Sequence, residues 1–165
     1  MLTTQRTHAL SHAITWRACD LRANLVVGAV RGRASLFILM AEAEIIATTK
    51  RLLSAVGAGD YSTYESLSSA DITCIEPETQ GNIVTGLPFH KYYFDLAKSS
   101  PKTNAPPTQN SISSPHVRML GSDHALISYV RVIQNGDKIA TANETRLWKR
   151  EGGVWKNIHF HRSKL

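Results

Sequence analysis

Three arginines stand where the alternating pattern of the last third of the chain calls for apolar residues: Arg131, Arg146 and Arg162. A buried guanidinium is costly unless it is ion-paired or faces a wet cavity. Guanidinium groups that converge on one place bind carboxylates or phosphates well. The three residues therefore predict an anion-binding cavity on one face of a sheet. The alternative is that each arginine reaches the rim or pairs with an acid, for which the candidates are Glu76, Glu78 and Glu144.

The first hairpin turn decides whether two of the arginines share a face. Asn135-Gly136 lies between two strand-like runs and predicts a two-residue turn. Such a turn would set Arg131 opposite Ala140 and give Arg131 and Arg146 the same face of the sheet. The separation along the strands would then be about 20 Å, so the sheet would have to curve to bring the two side chains together.

The second hairpin turn decides the position of Arg162. A three-residue loop, Glu151-Gly152-Gly153, would put Arg162 on the same face as Arg146. A two-residue Gly152-Gly153 turn would direct Arg162 to the opposite face. We favour the three-residue loop because it keeps the apolar residues of both strands on one side.

Two further pairs of residues could support chemistry. His159 and His161 share a strand face, but a zinc site needs more ligands and Cys74 is not obviously close, so we expect strand histidines, no metal and no cofactor. Glu76 and Glu78 could act as an acid–base pair. We favour the simpler interpretation that they cap a turn or neutralise the arginines.

The elements that carry these residues form an α+β pattern. Apolar spacing predicts a helix from Ala43 to the glycines at 57 and 59, a short helix capped by Asp60 and a third helix over 87–96. A strand is predicted at 71–76 and a brief extended piece at 82–85. Turn residues then separate four antiparallel strands, over 108–120, 124–134, 138–150 and 154–162.

The net charge of +6 is unevenly distributed, because residues 1–41 carry +4 of it. This Arg-rich leader is typical of an organellar transit peptide, although Met40 could be the true start, and we place residues 1–41 outside the fold. The folded part is too weakly basic to suggest nucleic-acid binding. No segment reaches the roughly 18 apolar residues of a membrane helix.

The compartment has more than one candidate signal. The scarcity of cysteine suits an intracellular protein. Residues 163–165, Ser163-Lys164-Leu165, read as a peroxisomal signal when they end a chain, and this competes with the organellar leader. If neither signal is used, we expect a cytoplasmic protein.

Several stretches closely resemble the association (hub) domain of calcium/calmodulin-dependent protein kinase II. The resemblance runs from about Ile45 to Ser163 and keeps the family's order. The stretches are Glu76-Pro77-Glu78, Gly81-Asn82-Ile83-Val84, Gly86, Phe89-His90-Lys91-Tyr92-Tyr93-Phe94, Pro115-His116-Val117, Tyr129-Val130-Arg131, Glu144-Thr145-Arg146-Leu147-Trp148 and Trp155-Lys156-Asn157-Ile158-His159-Phe160-His161-Arg162.

The resemblance implies a nuclear transport factor 2-like (cystatin-like) cone over residues 42–163, with N-terminal helices packed in a strongly curved, mainly antiparallel sheet. It implies self-assembly, with dimers stacked into rings of about a dozen or more subunits. Kinase hub domains or acidic peptides are further candidate partners. No kinase domain or calmodulin-binding segment is present, so the resemblance implies a free-standing hub without catalytic residues.

The family's cavity carries arginines that match Arg131, Arg146 and Arg162 and a histidine that matches His90. In relatives it accepts small carboxylates, and we add Tyr129 and Glu76 to the predicted cavity. An alternative function is a small cavity enzyme like ketosteroid isomerases or polyketide cyclases, which share the fold. Such an enzyme would use Tyr129, His90 and Glu76.

Overall fold

A computed structural model describes residues 36–99 and 108–165. Contacts between Cα atoms divide the chain into two units, Met1–Met40 and Ala41–Leu165. Of the first unit, the described residues 36–40 are helical and exposed. Most of the predicted leader and nearly all of the predicted loop after the third helix lie outside the described residues. None of the described helices is long and apolar enough to cross a membrane.

Three helices of the second unit follow the apolar pattern. Helix α1 covers residues 41–58 and buries residues of one face. It begins before the predicted Ala43 and ends at Gly59, whose φ of +68° glycine adopts without strain. Helix α2, Tyr61–Ser66, has the predicted cap, since the Asp60 side chain accepts a hydrogen bond from the backbone N–H of Thr63 at 3.0 Å. Helix α3, Leu87–Ser99, is longer than predicted.

The strands form one six-stranded sheet in the order β2-β1-β6-β5-β4-β3. Strands β3 to β6 make the predicted antiparallel meander, and β1 extends it by pairing in parallel with β6. The α+β prediction is confirmed. The strands are β1 Ser68–Ile75, β2 Val84–Thr85, β3 Gln109–Met119, β4 His124–Asn135, β5 Lys138–Glu151 and β6 Val154–Lys164.

The register of the β4–β5 hairpin differs from the prediction. Asn135 pairs with Lys138, so the two turn residues are Gly136 and Asp137. Only Gly136 has a positive φ, +60°, which is the pattern of a turn with glycine at its first central position. The shift is two residues, so the face of each side chain is as predicted, but Arg131 lies opposite Ala142. The arginines are therefore closer together along the strands than predicted.

The β5–β6 hairpin has a two-residue turn, and the predicted three-residue loop is wrong. Glu151 pairs with Val154, and both turn glycines have positive φ, 56° and 85°. Arg162 nevertheless shares the face of Arg146. The register shifts by one residue between Leu147 and Trp148, which is a β-bulge in β6. The extra residue exchanges the two faces of β6 beyond the bulge. Arg162 therefore pairs with Glu144 and lies on the same face as Arg146.

The core lies between the helices and the inner face of the sheet. Its main cluster joins α1, α2 and α3 to β4, β5 and β6, and burial of each large side chain stabilises the fold by roughly 1.5–3 kcal/mol. A smaller cluster of Ile72, Cys74 and Phe160 lies at β1 and β6. The buried residues of the main cluster are Ile45, Leu52, Leu53, Tyr64, Leu67, Phe94, Ala125, Ile127, Tyr129, Trp148 and Trp155.

Candidate functional site

A cavity of about 240 Å³ lies beside the main core. It receives side chains from all three helices, from the turn after β1 and from strands β4, β5 and β6. Five of the six predicted site residues line it. The lining residues are Val56, Tyr64, Glu76, Glu78, His90, Tyr93, Phe94, Arg131, Arg146, Phe160 and Arg162.

Glu144 is not part of the cavity lining, but it forms ion pairs with two of the lining arginines, Arg131 and Arg146. Its side chain is 0% exposed, and its oxygens accept hydrogen bonds from Arg131 Nη1 at 3.0 Å and from Arg146 Nη2 at 2.9 Å. Tyr129 was predicted in the cavity but is absent from its lining, because its hydroxyl is buried in this network. That hydroxyl donates to Glu144 Oε2 at 2.5 Å and accepts from Arg146 Nε at 2.8 Å.

The two guanidiniums determine the ionisation of Glu144. Burial alone would raise the pKa of this carboxyl, but the charges of Arg146 and Arg131 outweigh burial and lower the pKa to about 2. Glu144 is therefore ionised at neutral pH and is a weaker base than an ordinary glutamate. This does not favour Glu144 as the general base of a cavity enzyme.

Arg162 lies at the more exposed end of the cavity, its mouth, since its side chain is 18% exposed and that of Arg146 is 3% exposed. Two acids share this guanidinium. Its Nη2 donates to Glu76 Oε2 at 2.8 Å and to Glu78 Oε2 at 2.7 Å. The alternative considered from the sequence, in which acids pair with the arginines, thus holds for all three candidates. The three guanidiniums around the cavity are matched in number by the carboxylates of Glu76, Glu78 and Glu144.

His90 supplies a neutral acceptor to the cavity wall. The residue is 6% exposed, and its Nδ1 lies 3.2 Å from the carbonyl oxygen of Gly86, to which it must be the donor. Nε2 is then the acceptor nitrogen, and it is buried without a partner among the described residues. Burial lowers the pKa of His90, and the charge of Arg146 lowers it further. The imidazole is therefore neutral at pH 7.

Aromatic rings form the apolar part of the cavity. Tyr64 packs against both His90 and Phe94, with centroid distances of 5.6 Å and 5.2 Å. The guanidinium carbon of Arg146 lies 4.5 Å from the ring centroid of Phe160, a cation–π distance. The site therefore combines apolar walls, guanidinium donors and one neutral acceptor, which suits a small ligand with an anionic end and an apolar body.

Asn110 is a positioning residue that the sequence analysis missed. Its Oδ1 accepts from Arg131 Nε at 2.8 Å, and its Nδ2 donates to the carbonyl oxygen of Leu53 in α1 at 3.1 Å. It thereby ties the guanidinium to the last turns of the helix. No local signal marks this asparagine, since its partners are distant in sequence. The role of Glu144 did have a signal, since it lies two residues before Arg146 on the same strand face.

The histidine pair lies outside the cavity. His159 Nδ1 is 2.7 Å from Thr73 Oγ1, so this ring nitrogen has a hydrogen-bond partner within the sheet. Within residues 36–99 and 108–165 no group of three or more histidine, cysteine or acidic residues could hold a metal ion. Cys74 is buried, and burial first of all raises its pKa to about 12, so its thiol is unreactive at neutral pH.

Comparison with known proteins identifies the family. Residues 41–165 match the model of the calcium/calmodulin dependent protein kinase II association domain. The chain belongs to this association domain family. The delta subunit of the rabbit (Oryctolagus cuniculus) kinase is 42% identical over 125 residues. The match covers 73% of this chain but only 23% of that subunit, so the chain corresponds to a small part of the kinase.

Solved association domains share the fold. The hub homology domain from Chlamydamonas reinhardtii is 40% identical with a TM-score of 0.71, over 76% of this chain and 98% of that one. The association domain from C. elegans is 32% identical with a TM-score of 0.68, over 76% and 96%. The predicted resemblance to the hub family is confirmed.

The nuclear transport factor 2-like fold extends beyond the association domain family. A protein of this fold from Pseudomonas putida KT2440 is 22% identical with a TM-score of 0.64, over 76% of this chain and 87% of that one. A putative ketosteroid isomerase from Parabacteroides distasonis is 21% identical with a TM-score of 0.57, over 73% and 85%. At this identity the likeness shows the fold alone, and it confirms the predicted cone.

Proposed function

We propose that this chain acts as an oligomerisation hub, which assembles through its own surface into ring-shaped multimers, and that the hub itself has no catalytic activity. The observation that carries the proposal is the match of the whole second unit, residues 41–165, to the association domain family. The solved relatives are named hub or association domains, and the match covers at least 94% of each of those chains.

An exposed apolar ridge on α3 supports self-association. The α3 ridge consists of Tyr92, Tyr93 and Leu96, which lie on one face of the helix and are exposed. Tyr92 is 61% exposed, and its ring packs against Tyr93 with a centroid distance of 5.4 Å. Exposed tyrosines clustered with other apolar side chains are typical of protein interfaces.

Native mass spectrometry of the full chain tests the assembly. We expect a large, even-numbered multimer of the 18.2 kDa subunit, and ring-shaped particles by electron microscopy. Even numbers follow from stacked dimers. A subunit that stays monomeric at micromolar concentration would overturn the proposal.

We also propose that the cavity binds a small carboxylate or the side chain of an acidic peptide. Arg131 and Arg146 share a single carboxylate, so the inner end of the cavity has one more positive than negative charge. The aromatic walls would hold an apolar body. Titration with benzoate should give saturable binding, measured by calorimetry. Benzamide, which has the same shape without the charge, should bind at least tenfold more weakly, and equal affinities would contradict the proposal.

The cellular compartment of the protein and the limits of the domain at residues 42 and 163 stay predictions. Ser163 and Lys164 belong to β6, where Lys164 pairs with Ala142. A fluorescent tag on the C-terminus should displace the protein from peroxisomes if residues 163–165 are the signal, whereas an N-terminal tag should not.

A further inference from the structure

The charges around the cavity are unequally distributed between its two ends. At the inner end, two guanidiniums, Arg131 and Arg146, share the carboxylate of Glu144. At the mouth, the single guanidinium of Arg162 is shared by two carboxylates, Glu76 and Glu78. The inner end therefore attracts an anion, whereas the mouth has one excess negative charge and repels it.

The two mouth carboxylates differ in how firmly the fold holds them. Glu76 begins the 3₁₀ turn Pro77–Thr79, and its backbone oxygen accepts hydrogen bonds from Thr79 N and Oγ1, both at 2.9 Å. Its side chain is 10% exposed. Glu78 lies inside the turn, its side chain is 37% exposed, and Arg162 is its one hydrogen-bond partner among the described residues. Glu78 therefore contributes charge to the mouth and little to the fold.

We propose that Glu78 is a built-in competitor for the anionic ligand of this cavity. Its carboxylate occupies Nη2 of Arg162, the guanidinium nearest to the mouth, so Glu78 competes with an incoming carboxylate for the attraction of Arg162 as the ligand passes toward the inner end. Because Glu78 is partly exposed, its side chain can turn into solvent at low cost when a ligand enters. The competition lowers the affinity of the cavity for its anionic ligand. This inference rests on the proposed carboxylate binding.

The same contact selects against ligands with a second negative charge. A monocarboxylate can place its charge at the inner end and its apolar body against the aromatic walls. A dicarboxylate with the same apolar body would direct its second negative charge toward the mouth. There the two carboxylates of Glu76 and Glu78 face the single positive charge of Arg162. The ligand class that fits is thus a monoanion with an apolar body.

Glu78→Gln tests this inference, because glutamine keeps the shape and removes the charge. Benzoate should bind the variant about two- to fivefold more tightly than the unsubstituted protein, the gain expected from an exposed ion pair. Isophthalate, which carries a second carboxylate, should gain more than benzoate does. Both gains should shrink at 1 M salt, where screening is strong. Glu65→Gln, which removes an exposed carboxylate outside the cavity lining, is the matched control and should leave both affinities unchanged.

The outcomes separate this inference from the proposal on which it rests. If benzoate binds neither protein, carboxylate binding itself fails, and the inference fails with it. If benzoate binds the unsubstituted protein, an equal or weaker affinity in Glu78→Gln overturns the competitor role alone. Equal gains for benzoate and isophthalate would overturn the charge selection. Amide proton spectra of both variants should retain the native dispersion, which shows that the turn is intact.

Discussion

At the scale of single residues, Glu144 explains how arginines are tolerated in the core. One fully buried carboxylate receives hydrogen bonds from two guanidiniums and from the hydroxyl of Tyr129. Removing one member of such a network leaves a buried charge without its partner, which costs far more than the intact pair contributes. Arg146→Ala would therefore weaken ligand binding and the fold together, and it is a poor test of the cavity alone.

Glu144→Gln should lower the free energy of unfolding by about 3–5 kcal/mol near pH 7, because both guanidiniums lose their counter-charge. The native pKa of Glu144, about 2, lies below its ordinary value of 4.5, so its ionised form stabilises the native state above pH 4.5. This stabilisation is lost as the pH falls from 4.5 toward 2. The difference between the two proteins should therefore narrow over that range, measured by urea denaturation at fixed protein concentration.

Glu151→Gln is the control for that experiment. Glu151 pairs with Lys149 on the surface, where both side chains are partly exposed. Its substitution should change the free energy of unfolding by less than about 1 kcal/mol. A Glu144→Gln variant as stable as this control would mean that the buried network contributes no net stability.

At the scale of elements, the sequence was sufficient for the order of helices and strands and for the shared face of Arg131 and Arg146. Strand alternation has a period of two, so a register error of two residues left the face of Arg131 correct. The register itself depended on which residues entered the turn. The glycine at 136 took the first central position, and Asn135 stayed in the strand. Dipeptide preferences do not resolve that choice.

The face of Arg162 was predicted correctly for the wrong reason. The turn at Gly152-Gly153 has two residues, which alone would have reversed the face. The bulge opposite Leu147 and Trp148 reverses it a second time. The bulge lies next to the pair Trp148 and Asn157, which are fully buried in the finished sheet, and no local sequence pattern marks it. The parallel pairing of β1 with β6 was not predicted either, because it joins two segments that are far apart in the sequence.

Gly57 shows how one element positions the site through another. A Cβ atom added at Gly57 would lie 2.4 Å from the backbone oxygen of Thr108 and 2.7 Å from Asn110 Nδ2. Gly57→Ala should therefore destabilise the fold by about 1–3 kcal/mol, despite the better helix propensity of alanine. It should also weaken benzoate binding, because Asn110 holds Arg131. Thermal unfolding and calorimetry would measure the two effects.

The matched control is Ser54→Ala, an exposed position one turn earlier in α1. It should leave both quantities within about 0.5 kcal/mol of the unsubstituted protein. A Gly57→Ala protein of native stability would show that β3 can move away from the helix freely.

At the scale of the whole molecule, the fold does not decide the function. The same cone occurs in a putative ketosteroid isomerase and in a kinase association domain. What separates these roles is the chemistry of the cavity and the outer surface. Here each cavity arginine is paired with an acid and the buried carboxylate of Glu144 is a weak base, whereas α3 presents tyrosines to solvent. Assembly is therefore the property that the molecule as a whole should display.

Tyr92→Asp tests whether the α3 ridge is the surface used for assembly. Tyr92 is the most exposed residue of that ridge, so its replacement should leave the subunit folded. A charge buried at an interface should weaken association by roughly 2 kcal/mol or more at each contact, and the native mass should fall to dimers or monomers. Tyr92→Phe keeps the ring and should retain the full mass. If Tyr92→Asp also retains the full mass, the ridge lies outside the assembly contacts, and the copies meet through another face of the sheet or helices.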